Sequence, residues 1–154
     1  MKGSVVDLFT LMVTAFVVCL IAVVGYVLLS KFSGTDLDVG GVIDSGLALY
    51  AAFDNILIGV IILMSIVVIG TAYMIDTNPV FFAVSLILLI IAVVISMILS
   101  NAFIELLAVG DLAAASVHFP NLTTFMQNLP MYALIEGGLI LVALYAKPSG
   151  NAPI

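Results

Sequence analysis

Apolar residues run almost without interruption through four stretches, Leu8–Ser30, Asn55–Ile75, Thr77–Ile104 and Leu122–Ala146. The first three hold no charged residue, and the fourth holds only Glu136. About 20 apolar residues in a helix cross the hydrocarbon core of a bilayer, so each stretch is long enough to span one. Continuous apolarity predicts helices, because a transmembrane barrel alternates apolar and polar positions in short segments. The expected fold class is all-α: an integral membrane protein with four transmembrane helices over 5–31, 55–75, 79–107 and 122–146, forming a single membrane domain over 1–154.

Polar residues mark the breaks. Ser33-Gly34-Thr35-Asp36 and Gly40-Gly41 open a linker after the first span. Asp76-Thr77-Asn78-Pro79 reads as a tight turn, with Thr77 or Asn78 as N-cap and Pro79 in the first turn of the next helix. Gly110-Asp111 and His118-Phe119-Pro120-Asn121 separate the third and fourth spans, and Lys147-Pro148-Ser149-Gly150 ends the last. Within the linker, Ile43, Leu47, Tyr50 and Asp54 recur at helical spacing while Asp44, Ser45 and Ala48 face elsewhere. That pattern predicts a short amphipathic helix over 42–54, lying on the membrane surface or continuing into the second span. Pro130 is expected to kink the fourth helix and free the carbonyl of Met126, with Gln127 or Asn128 placed to occupy it. The first stretch follows Met1-Lys2, yet its 23 uncharged residues exceed a signal-peptide core and no small-x-small pattern follows Ser30, so a retained helix is expected.

The chain is 65% hydrophobic and 8% charged, against roughly 25% charged residues in soluble domains. With three lysines, no arginine and a net charge of −6, nucleic-acid binding is excluded, since phosphate neutralisation needs clustered cations. Four spans place both termini on one side, with Lys2, Asp7, Asp76 and Lys147. The opposite pole carries Lys31 against Asp36, Asp38, Asp44, Asp54, Glu105 and Asp111. Counting lysines favours cytoplasmic termini and an outward acidic pole. The single cysteine, Cys19, reads as a small packing residue. There is no nucleophile–base pair, histidine cluster or phosphate loop, so no enzymatic activity, cofactor or metal is assigned.

Glu136 is the sharpest candidate for chemistry. It lies eleven residues inside Lys147, about 16 Å at 1.5 Å per residue, near the midplane. A carboxylate there costs roughly 2.5–3.5 kcal/mol on insertion scales. No lysine or arginine stands at matching depth, so Glu136 must be protonated, bind a cation or find a partner in another chain. It reads as an intramembrane proton or cation site, or as a neutral acid satisfied by a neighbouring helix. Asp54-Asn55, with Asn101 and Glu105 on one face of the third helix, forms a candidate polar interface cluster. Its oxygens suit a hard divalent cation in one reading and face lipid headgroups in the other. His118 reads as an interfacial loop residue. Ala92, Ser96 and Ser100 on the third span, and Ala133 and Gly137 on the fourth, form small-residue rows for close helix packing, a part open also to Gly59 and Gly70 on the second.

The segment Ala133-Leu134-Ile135-Glu136-Gly137-Gly138-Leu139-Ile140-Leu141-Val142-Ala143-Leu144-Tyr145 resembles the last helix of the four-span proteolipid subunit of rotary ATPases, in which Glu136 would match the proton-carrying carboxylate. Glycine-rich first and third helices belong to that family, whereas here the first span has Gly25 alone and the third has none, and the 31–54 linker is long for its compact hairpins. A second likeness covers about 76–148. Asn78-Pro79-Val80-Phe81-Phe82, Ser100-Asn101-Ala102-Phe103, Phe119-Pro120 and Asn128-Leu129-Pro130, with the ending Tyr145-Ala146-Lys147, resemble small membrane proteins of tailless icosahedral viruses with an internal membrane. That resemblance implies a structural protein paving or anchoring the vesicle beneath the capsid, with the acidic pole offered to capsid proteins. The expected function is a non-enzymatic structural or accessory subunit of a larger membrane assembly, in a viral internal membrane or a prokaryotic cytoplasmic membrane. Its expected partners are the lipid bilayer and other membrane subunits or copies of itself. Proton or cation conduction through Glu136 is the alternative, as is a holin-like pore, although Ser149–Ile154 lacks a holin's basic tail.

Overall fold

The structure is a computed structural model and describes residues 5–33, 35, 38, 41–74 and 80–145. Lys2, Asp36, the turn Asp76-Thr77-Asn78-Pro79 and the ending Lys147-Pro148-Ser149-Gly150 lie outside the described residues. Among those described, the chain forms helices and no strand: α1 (Val5–Ser30), α2 (Val42–Met74), α3 (Val80–Leu107), α4 (Gly110–Ser116), α5 (Pro120–Gln127) and α6 (Leu129–Tyr145). Three helices, α1, α2 and α3, are long and apolar enough to cross a membrane, and the bent pair α5–α6 makes a fourth if counted as one span. The architecture is all-α and compatible with a multi-pass membrane protein.

Helix α1 buries Leu8, Met12, Ala15, Cys19 and Ala22, a seam repeating about every 3.5 residues, as in helices packed along one face. The small residues in the seam admit neighbouring backbones, and Cys19 is a free, fully buried thiol among them. Helix α2 starts after Gly41, whose φ of +71° lies in the left-handed region open to glycine. Asp38 Oδ1 accepts the amide N–H of Ile43 at 2.9 Å, which satisfies one of the donors a helix start leaves unpaired. Ile43, Leu47 and Tyr50 are half-buried and Asp54 is buried, while Asp44, Ser45 and Ala48 are exposed. Thus 42–54 is the first part of one unbroken 33-residue helix, about 50 Å long and more than the hydrocarbon core requires.

The small-residue rows of α3 and α6 are spent inside the bundle. Ala92, Ser96, Ser100 and Ala133 are buried, as is Gly137, and α3 meets α6 more extensively than any other pair of helices meets. A Cβ built on Gly137 would collide with the Leu89 side chain and approach Leu8 Cδ2 to 3.0 Å. Gly59 and Gly70 differ: a Cβ on either meets nothing within 4 Å. They pack against no other part of the described chain and face outward from α2.

At the end where α1 finishes and α2 begins, the region read as a break at Gly110-Asp111 is the first turn of α4. Lys31 Nζ reaches Asp111 Oδ2 at 2.8 Å, an exposed pair that adds little stability. His118 stacks on Tyr26 with ring centroids 4.6 Å apart. Phe119 is fully buried, edge-on to both Tyr26 and Tyr50.

The fourth stretch is two helices bent by 71°, and the break falls at Asn128 rather than at Pro130, which sits harmlessly in the first turn of α6. Asn128 Nδ2 donates to the Thr124 carbonyl at 2.8 Å, one turn below Gln127, instead of to Met126. The Asn128 carbonyl starts α6 by accepting the amides of Met131 and Tyr132. Ser100 Oγ donates to the Gln127 carbonyl at 3.1 Å, so a member of the α3 packing row also satisfies the end of α5. Ser100→Ala keeps the small side chain and removes this bond. It is expected to cost about 1 kcal/mol, read as an earlier midpoint when the chain is unfolded by SDS in mixed micelles.

Candidate functional site

Two polar features lie along α2, and both involve the bent α5–α6 pair. The first is at Asp54. Helix α5 begins Phe119-Pro120, so its N-cap side chain is a phenylalanine that makes no capping bond and its first residue has no amide hydrogen. The first free donors are therefore Asn121 and Leu122. Asp54, only 3% exposed, takes both: Asn121 N–H donates to Oδ2 at 2.9 Å and Leu122 N–H to Oδ1 at 2.8 Å. Asn121 Nδ2 also donates to Asn55 Oδ1 at 2.8 Å. A carboxylate on a helix N-terminus is favoured by the unpaired amides and by the helix dipole together. Asp54 thus supplies, from another helix, the capping bonds that Phe119 cannot make for α5.

The expected cluster of Asp54, Asn55, Asn101 and Glu105 is therefore divided. Asp54 and Asn55 meet Asn121, whereas Asn101 and Glu105 are exposed on α3. Asn121 and Leu122 carry the contact, and sequence reasoning placed them in a separator and at the edge of a span. Among the described residues, no group of three or more His, Cys, Asp or Glu is arranged to hold a metal ion.

The second feature is a cleft of about 380 Å³ between α2 and the α5–α6 bend. The 71° turn at Asn128 opens it, since α5 leans away from the line of α6. Ile58, Ile62, Ile66 and Ile69 from α2 and Ile135 and Leu139 from α6 give it apolar walls. Polar atoms enter from Asn121 and Thr124 at the α5 end and from Ser65, Tyr132 and Glu136 further along. Glu136 lines this cleft, as does Ser65 from α2. Its Oε1 is buried and has no hydrogen-bond partner among the described residues. None of the described lining residues is Lys, Arg or His, so no described residue of the lining brings a cation to this carboxyl group.

Chemically, the two features do different work. Both oxygens of Asp54 are used in holding α5, which makes it an anchor. Glu136 retains acceptor capacity facing a concave apolar surface, which makes it the residue available to something else. Comparison of the chain with protein-family models, with curated proteins and with solved structures found no match.

Proposed function

We propose that this chain is an integral, multi-pass, non-enzymatic subunit of a larger membrane assembly, with copies of itself as neighbours. One observation carries the reading. Membrane helices associate through small residues that let backbones approach, because lipid gives no hydrophobic drive between them. The rows on α3 and α6 are buried within the chain, whereas a Cβ on Gly59 or Gly70 of α2 meets nothing within 4 Å among the described residues. Separated by eleven residues, they fall on one side of the helix, together with the exposed Ala48 and Ala52. A second copy supplies the surface that such a face is suited to meet. The finer reading, a building block of a virion internal membrane, rests on the resemblance of residues 76–148. In it, exposed acids such as Asp44 and Glu105 form part of the face presented to capsid proteins.

The test is the mass of the full chain extracted in a mild detergent, measured by light scattering after gel filtration. A protein mass several times the 16.2 kDa of one chain is expected. Gly59→Leu combined with Gly70→Leu is expected to weaken self-association by about tenfold or more, equivalent to about 1.4 kcal/mol, with helix content unchanged. A wild-type chain that remains monomeric at every concentration and copurifies with nothing sinks the reading.

A further inference from the structure

We infer that the cleft between α2 and the α5–α6 bend binds a lipophilic amine: one ammonium group carried on a hydrocarbon body, with its N–H groups donated to the Glu136 carboxyl group and Ser65. The inference rests on the Glu136 cleft and not on self-association, although Ile66 of the cleft wall lies between Gly59 and Gly70 on α2.

Two independent observations converge on it. The first is the Glu136 carboxyl group, which lines a cleft whose described lining includes no basic side chain and whose Oε1 has no donor among the described residues. A buried acceptor that the chain leaves unpaired costs free energy that an incoming donor recovers. The second is the wall around it, where Ile62, Ile66, Ile135 and Leu139 face the same space. A hard metal ion requires six or more oxygen ligands or retained waters, which suits these isoleucines poorly. An alkylammonium needs one carboxylate and one or two further acceptors, and covers apolar walls with its own hydrocarbon. The volume of about 380 Å³ falls among small-molecule sites, which run from about 300 to 1,000 Å³. Polarity also grades along the cleft, from Asn121 and Thr124 at one end to Ile69 and Leu139 at the other. The ammonium therefore sits at Glu136 with its chain directed along the apolar end.

Equilibrium binding of radiolabelled decylamine to the full chain in phosphatidylcholine nanodiscs, with empty nanodiscs subtracted, tests this, and decanol serves as the uncharged counterpart. Decylamine is expected to saturate at one site per chain. Glu136→Gln is expected to weaken that binding about tenfold or more, the scale of one charge-assisted hydrogen bond, and to change decanol binding much less. Glu136→Asp, which keeps the charge, is expected to retain most of it. Leu139→Trp, on α6 and away from the glycine face of α2, narrows the apolar end of the cleft with Glu136 still in place and is expected to weaken binding of both probes strongly. The inference is overturned if decylamine shows no saturable binding above empty nanodiscs. It is equally overturned if Glu136→Gln binds decylamine as wild type does, or if Leu139→Trp leaves it unaffected.

Discussion

Asp54→Ala is expected to destabilise the folded chain by about 3 kcal/mol, because it removes two hydrogen bonds to a carboxylate and leaves two helix-terminal amides without acceptors. The effect is larger than that of an ordinary N-cap loss. Asn121 and Leu122 are the first amides of α5 able to donate, and both go to this one side chain. Leu122 and Asp54 are themselves buried, so water replaces the lost acceptors poorly. Asp54→Asn is expected to be milder, since the amide oxygen accepts one of the two N–H groups while its NH2 opposes the other. Asn55→Ala removes the single exposed bond from Asn121 Nδ2 and is expected to cost under about 1 kcal/mol. SDS titration in mixed micelles orders the three variants. Amide exchange at residues 121 and 122 then locates the effect, with faster exchange there in Asp54→Ala than at α6 amides. Equal midpoints for Asp54→Ala and wild type, without local acceleration, would show that α5 is held by its apolar face alone.

The reach of sequence reasoning differs between these two helices for physical reasons. Asp54 stands out in the sequence as a charge at the mouth of an apolar run, and so does the missing cap at Phe119-Pro120. A donor end without a cap and a buried acid without a partner are complementary deficits, and their pairing was in principle legible. What linear spacing does not contain is which neighbour a helix face meets. Spacing places Asn101 and Glu105 together on α3, but the partner of Asp54 is set by where α5 lies after the 71° bend. That bend was signalled by Pro130. Its position at Asn128 follows from bonds the proline does not make, namely those of Asn128 Nδ2 to Thr124 and of Ser100 to Gln127. With α5 turned aside, a cleft opens beside Glu136, and a residue read as a charge at depth becomes one wall of a concave surface. Four apolar runs were visible as runs; the asymmetry among them came from tertiary contacts.

The adjacent glycines of α6 provide the sharpest contrast. Gly137→Leu is expected to destabilise the chain by about 3 kcal/mol, at the upper end of ordinary overpacking, whereas Gly138→Leu is expected to be close to neutral. Sequence alone treats the pair as equivalent, and helix propensity favours leucine at both by a similar amount. Packing separates them. A Cβ at Gly137 collides with Leu89 of α3 and comes within 3.0 Å of Leu8 of α1, while one at Gly138 meets nothing within 4 Å. Leu8 is fully buried and Leu89 nearly so, which leaves them little room to yield to the whole of a leucine. The three helices meet at Gly137, so relief requires α6 to move away from both α1 and α3. Gly137→Ala is expected to fall between, because the terminal methyl of Leu89 can rotate aside from a single carbon. The readout is again the SDS midpoint, measured for the three variants in parallel. Similar midpoints for Gly137→Leu and Gly138→Leu would mean that α6 is rotated about its axis relative to this packing, and Glu136 would then no longer face the cleft.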